Sequence, residues 1–431
     1  MVDATARVVA FPAALSASAD PITPHPLHGT RVLIATESLG PVNGVTRATT
    51  SLRTHLAAHQ IATVTLAPET GTAADHDFDG TIRLPGLPIP YNPELRVVRP
   101  FDVHELFRRV GRPDVIYLAS PATLGFQLWW QARRFGIPIV ANYQTDLATY
   151  ARMVLPRPTR RVLGWSADQA TARLYRDDAV RLAFVPSSQS RAYLVGLGVP
   201  ETKLRLLGRG VDCALFHRAK RSADVRQQLA PNGELLLLCV SRLSFEKGFD
   251  LLAAAYREIV ARARARGITR PFRLIITGGN ANPTIEAEIR RYFNGLDVHF
   301  TGMLTGEALA TMYASADAFV FPSQSETFGQ VVQEAMASGL PVVAQRAGGP
   351  ADLVVPGQTG TLVPAGDVAA FADAIATMIA DDLGRARMGR VARAVAEHRS
   401  WDAINLRISH TVAEAVRQSP EGAGYRRSGS A

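Results

Sequence analysis

Apolar residues fall in short, nearly unbroken runs, separated by longer stretches with helical spacing. Residues 31–36, 61–67, 114–118, 137–143, 182–186 and 204–207 are runs of strand length. Residues 234–240, 272–277, 298–301, 318–321 and 341–344 repeat the theme. Residues 46–59, 125–135, 248–265 and 402–417 carry the three-to-four-residue apolar spacing of helices. Runs without polar alternation are strands buried on both faces, and strands alternating with helices form parallel sheets. The pattern therefore predicts an α/β protein of two Rossmann-like, doubly wound parallel-sheet domains facing a cleft. Ligands of such sheets bind at the carboxyl ends of the strands. No 20–50-residue sequence repeat is present.

The first series ends near 211–216. The expected organisation is a disordered arm over 1–29, a first domain over 30–212, a second over 213–400, a helix over 401–417 and a disordered tail over 418–431. Asp3 ahead of the apolar stretch 8–17, and Pro12 within it, speak against a signal peptide. No apolar run approaches the ~18 residues of a membrane span.

The 431 residues are 47% hydrophobic and 20% charged, which excludes a disordered, collagenous or coiled-coil body. Cys213 and Cys239 make no disulfide scaffold, and reduced thiols fit a cytoplasmic setting. The ten histidines show no metal-binding spacing, so no metal site is expected. Net charge is +9, and only Lys203, Lys220 and Lys247 among the 47 basic residues are lysines. The excess suits nucleic acid, anionic lipid or phosphorylated substrates, although genomic base composition enriches arginine equally well. No nucleic-acid-binding module is present, so no nucleic-acid partner is expected.

Four motifs follow predicted strands. Ser241-Arg-Leu-Ser-Phe-Glu-Lys-Gly248 sets Arg242 and Lys247 across one turn ahead of a helix, where both can reach one anion. A solvated loop pair is the plain alternative. Ser325-Glu-Thr-Phe-Gly-Gln-Val-Val-Gln-Glu334 carries Glu326 and Glu334, carboxylates able to accept from vicinal hydroxyls. The N–H groups of Thr327, Phe328 and Gly329 are donors for a sugar oxygen or phosphate. Ordinary helix charges are the alternative. In Pro41-Val-Asn-Gly-Val45, Gly44 lets backbone approach a diphosphate, or merely makes a turn. In Ala141-Asn-Tyr-Gln-Thr-Asp146, Gln144 and Asp146 suit sugar hydroxyls, or Asp146 caps a helix. Asp75-His-Asp-Phe-Asp79 sits in a polar loop and reads as a solvated turn, not a metal site.

These motifs, with Ala347-Gly-Gly-Pro350, occur in the order and spacing of family 4 of the retaining GT-B glycosyltransferases, which the chain resembles over about residues 30–400. Leu118-Ala-Ser-Pro121, Tyr143-Gln-Thr-Asp146 and Arg209-Gly-Val-Asp212 resemble its GDP-mannose-dependent α-mannosyltransferase subgroup. The resemblance implies an enzyme, a hexosyltransferase moving mannose from GDP-mannose to a lipid-linked or other glycan acceptor. A UDP-hexose transferase of the family, or a sugar-nucleotide epimerase on the same fold, is the alternative. It implies an acceptor-binding first domain, a donor-binding second domain and a last helix crossing back to the first. Gly44 would meet the donor phosphate, Arg242 and Lys247 the leaving diphosphate, Glu326 the hexose and Glu334 the ribose. Backbone near Gly278, Gly279 and Met303 would meet the base, and Arg209 the hexose or acceptor. The family commonly has His where this chain has Gln144, which takes a hexose-binding role instead. No metal or other cofactor is implied, since the two cations do the charge work. Arg108, Arg109 and Arg112, then Arg152, Arg157, Arg160 and Arg161, with Trp129 and Trp130 between, form a basic surface suited to the inner face of a membrane, or an ordinary arginine-rich surface.

Overall fold

The computed structural model describes residues 25–419 apart from 38, 40–43, 70–79, 90–91, 145–156, 264–267, 281, 325 and 327. The chain divides into two compact units, one of Met1–Leu207 with Ile404–Ala431 and one of Gly208–Ala403.

The first unit is built on β1 (Val32–Thr36), β2 (Thr63–Pro68), β3 (Thr81–Leu84), β6 (Val115–Ser120), β7 (Ile139–Asn142), β8 (Val180–Val185) and β9 (Leu204–Leu206). They form a parallel sheet in the order β3-β2-β1-β6-β7-β8-β9. Between β3 and β6, β4 (Gly86–Ile89) and β5 (Asn92–Val98) form an antiparallel hairpin. Side chains alternate across the pleat. Leu33 and Ala35 pack with Leu124, Leu128 and Leu174 on one face. Val32 and Ile34 pack with Leu52, Leu56, Ile404, Ile408 and Val412 on the other.

The second unit has β10 (Leu235–Val240), β11 (Phe272–Thr277), β12 (Val298–Gly302), β13 (Ala318–Phe321), β14 (Val342–Gln345) and β15 (Gly360–Val363), parallel in the order β12-β11-β10-β13-β14-β15. Leu236 and Leu238 face one core and Leu235 and Leu237 the other. Both sheets are parallel with two buried faces, as the unbroken apolar runs predict. β3, β15 and the hairpin are additions to the expected strands. Pro85, Pro88 and Pro93 obscured the hairpin, because proline is a weak strand signal.

The expected arm ends too late. Leu27 is 1% exposed and packs against the helix Trp401–Arg417 and β1. The expected division after Asp212 differs from the observed one at Leu207/Gly208. Val211 bridges to Ser400 and is buried with Phe216, which ties 208–212 to the second unit. Ser419, at the start of the expected tail, is buried, and 420–431 lie outside the described residues. Among the described residues, no helix is long and apolar enough to cross a membrane.

The first sheet reverses its order between β1 and β6, and Glu37 spans that point. Its Oε1 accepts from the N–H groups of Ala122 (2.8 Å) and Gly125 (2.9 Å). Burial pushes its carboxyl up to about 7, against those N–H bonds. Between its ordinary value near 4.5 and about 7, the folded chain therefore holds a proton that the unfolded chain lacks. This contribution to stability falls as pH rises through that window and levels off above it. Glu37→Gln should track wild type at pH 4.5 and become relatively more stable by about 3 kcal/mol toward pH 8. Urea unfolding at four pH values checks this, and parallel curves would refute it.

Candidate functional site

The second sheet reverses its order between β10 and β13, and the segments after these two strands carry most of the predicted chemistry. β10 is fully buried. After it, Ser241 N–H bonds Thr277 O (3.1 Å) and Leu243 N–H bonds Gly279 O (3.1 Å), which fastens the loop to the end of β11. Phe245–Lys247 makes a single tight turn, and Gly248 follows at φ 74° before the helix Phe249–Arg262. A Cβ on Gly248 would lie 2.4 Å from Pro322 O, so the turn after β10 touches the end of β13 through a residue without a side chain.

Lys247 is delivered by that turn to Glu326. Its Nζ lies 2.9 Å from Oε2, with side-chain exposures of 12% and 22%. Glu326 Oε1 accepts from Gly329 N–H at 3.0 Å and Phe328 N–H at 3.4 Å. Burial works to raise the Glu326 carboxyl, but the Lys247 charge and hydrogen bond and the two N–H groups outweigh it and hold it below the usual carboxylate range. The Glu326 carbonyl accepts from Gly349 N–H at 2.8 Å, which places the start of the helix Gly348–Leu353 against this segment. Arg209 joins the group. Its guanidinium carbon sits 5.7 Å from the Phe328 ring centroid. Burial lowers the proton affinity of Arg209, and Glu326 opposes this. The structure thus gathers Arg209, Lys247, Glu326, Phe328 and Gly329.

Three details go beyond what the motifs specify. Arg242 and Lys247 face different carboxylates. Arg242 is 74% exposed and 3.6 Å from Glu246, while Lys247 holds Glu326. The N–H groups of Phe328 and Gly329 are taken by Glu326, because a carboxylate two and three residues back is their nearest acceptor. Glu334 is 4% exposed and accepts from Tyr313 Oη at 3.2 Å, so it is no surface helix charge. Burial, then the Glu334 charge, raises the Tyr313 phenol well above its ordinary value and keeps it a donor. Sequence reasoning missed Tyr313, which lies in an apolar helix where a core reading wins.

At the neighbouring strand ends, Gly278 N–H bonds Gly302 O (2.9 Å), and a Cβ on Gly278 would fall 1.9 Å from Ser241 O. Met303 is 65% exposed. Thr327 and Asp146 lie outside the described residues, as does the Asp75–Asp79 loop. In the first unit, Gly44 opens the helix Gly44–Ala58, after 40–43, which are not described. Gln144 comes after β7, and its Oε1 is buried without a hydrogen bond to the described residues, which leaves an acceptor for a ligand hydroxyl. Of the predicted basic surface, Arg109 pairs with Glu105 at 2.5 Å, Arg108 pairs with the same carboxylate, and Arg112 bonds Phe135 O.

Away from these segments, the first unit gathers three imidazoles that the spacing had hidden. Ligand atoms of His25, His55 and His59 all lie within 4.8 Å of one another. The visible signal was His55 and His59, four apart on one helix face. His25, thirty residues earlier, carried none.

Known proteins agree with this architecture. Residues 42–215 match the family described as Glycosyltransferase Family 4, and residues 220–395 match Glycosyl transferases group 1. A protein of Mycobacterium tuberculosis named GDP-mannose-dependent alpha-mannosyltransferase is 34% identical over 87% of this chain and 94% of its own. One of the same name from Corynebacterium glutamicum is 32% identical over 90% of this chain and 89% of its own. The solved structure of Anabaena HepE in complex with UDP superposes with a TM-score of 0.69 at 20% identity, covering 89% of this chain and all of that one. Two matched domains and relatives at about a third identity over nearly the whole length leave one assignment: the chain belongs to family 4 of the GT-B glycosyltransferases and is a glycosyltransferase.

Proposed function

We propose that the chain moves mannose from GDP-mannose to a lipid-linked glycan acceptor, with retention of anomeric configuration and without a metal ion. The observation that carries this reading is the Lys247–Glu326 pair where the second sheet reverses. Open α/β sheets bind ligands at such a point. The relatives named as GDP-mannose-dependent enzymes support the choice of donor.

In this mechanism the bond from mannose C1 to the diphosphate oxygen breaks. A bond from an acceptor hydroxyl oxygen to C1 forms on the same face. The hydroxyl proton passes to a phosphate oxygen of departing GDP, so no separate base is required. Charge grows on the diphosphate as the bond breaks, and Lys247 and Arg242 offset it. Arg242 is suited to this because its 3.6 Å pair with Glu246 is long and exposed, and is readily exchanged for a phosphate. Glu326, held ionised, accepts from mannose hydroxyls with its remaining lone pairs. Glu334, oriented by Tyr313, accepts from the ribose. Gly278 and Met303 flank the base, while Gly44, Gln144, Asp146, Thr327 and Arg209 take the donor and acceptor roles that the family resemblance implies.

The acceptor reading includes a peripheral membrane position. Trp130 is 56% exposed on the helix Thr123–Phe135, and Val162, Leu163 and Trp165 are 63%, 46% and 62% exposed on the helix Arg157–Arg176. Apolar side chains on arginine-bearing helices suit the headgroup layer of an anionic bilayer.

The deciding experiment is calorimetric titration with GDP and UDP in EDTA, followed by NMR of the product formed from GDP-mannose. Tighter GDP binding and an α-linked product are expected. Preference for UDP would overturn the donor, a β-linked product would overturn retention, and transfer that needs added metal would overturn the charge role of the cations.

Lys247→Ala should lower kcat by about 10²–10³-fold, since a group acting mainly on the transition state is removed. Glu326→Gln should lower it comparably in steady-state assays, while circular dichroism stays that of wild type. An unchanged kcat in both would refute their roles. Sedimentation with vesicles containing phosphatidylglycerol should fall several-fold for Trp165→Ser and fall further in high salt. Equal sedimentation would refute the membrane surface.

A further inference from the structure

We propose that His25, His55 and His59 form a binding site for a divalent transition metal ion, best suited to Zn²⁺, that fastens the segment before β1 to the end of the helix Gly44–Ala58.

The site is assembled from two parts of the first unit. His55 and His59 stand one helical turn apart, with His59 N–H bonding His55 O at 3.2 Å, so the helical path continues through both. His25 opens a tight turn in which His28 N–H bonds His25 O at 2.8 Å, and the neighbouring Leu27 is locked in the core. The His25 and His55 Nε2 atoms lie 3.3 Å apart. Two nitrogens at the usual bond length to a tetrahedral Zn²⁺ are separated by about 3.3 Å. Two of three ligands therefore already have the required spacing. The third lies within 4.8 Å of them, on the exposed His59, whose ring can turn toward them without disturbing the core. The rings also stack, with His25 and His59 centroids 4.5 Å apart.

The donor set selects the ion. Three neutral imidazoles without a carboxylate suit Zn²⁺, Ni²⁺ or Cu²⁺ and are poor ligands for Mg²⁺ or Ca²⁺. Three protein ligands leave a fourth position for water. Coordination through His25 Nε2 puts that ring's proton on Nδ1 and gives up the long 3.3 Å contact from Leu27 N–H. No other hydrogen bond described for His25 is lost except the ring contact with His55, which two metal bonds replace.

The site stands apart from the proposed chemistry. Gly44 opens the helix that His55 and His59 close, about 20 Å away along its axis. The ion would stabilise the first unit and take no part in transfer, so transfer in EDTA and metal binding here are separable.

The test is titration of the full-length chain, without an affinity tag, with Co²⁺. The expected result is one ion per chain with the intense visible bands of a low-coordinate histidine site. The bands should be lost in His59→Gln and in His25→Gln. Zn²⁺ should raise the thermal midpoint of wild type by several degrees and leave that of both variants unchanged. His59→Gln alters an exposed side chain, so its circular dichroism should stay that of wild type. Weak six-coordinate bands, failure to saturate, or bands that survive both substitutions would overturn the proposal and leave the cluster a hydrogen-bonded imidazole group.

Discussion

Where the second sheet reverses its order, β10 and β13 lie side by side and the chain leaves them in diverging directions. The Lys247–Glu326 ion pair joins the two segments into which these strands lead. Much of the local arrangement hangs on it. Glu326 holds Phe328 and Gly329 by their N–H groups, its carbonyl holds Gly349, and Phe328 carries Arg209. Removing either charge would leave the other partly buried and uncompensated, which costs more than the pair itself contributes. The pair thus sets the shape of the segment that presents the candidate site, while most of the unit's stability comes from the two apolar faces of the sheet.

The first sheet places a glutamate at the equivalent reversal with the opposite electrostatic outcome. Glu37 and Glu326 both accept backbone N–H groups. Glu326 also has a lysine and is held ionised, whereas burial dominates at Glu37 and raises its carboxyl to about 7. The same topology and residue type give a fixed charge in one unit and a group that titrates near neutrality in the other. The difference is the deeper burial of Glu37 and the cation beside Glu326.

Legibility followed the range of the interactions involved. Strands such as β10 and β13 were readable because apolar runs report burial on both faces, a property of the local sequence alone. The hairpin β4–β5 was not, because prolines blur a strand signal and the pairing is made by the partner strand. Arg242, Lys247, Glu326 and Glu334 were visible as motifs beside strand ends. Their partners were not. Neither the pairing of Lys247 with Glu326, 79 positions apart, nor the support of Glu334 by Tyr313 leaves a trace in spacing.

The sequence by itself determined the two parallel α/β units, the strand ends that carry chemistry and the family, because these rest on periodicity and on contiguous motifs. Only the tertiary structure decided which cation faces which carboxylate, which glutamate is buried, and that His25 meets His55 and His59. Each of those depends on side chains brought together from distant positions by the order of strands and the packing of helices. Local pattern specifies that elements form and which faces they bury, but not which atoms meet across them.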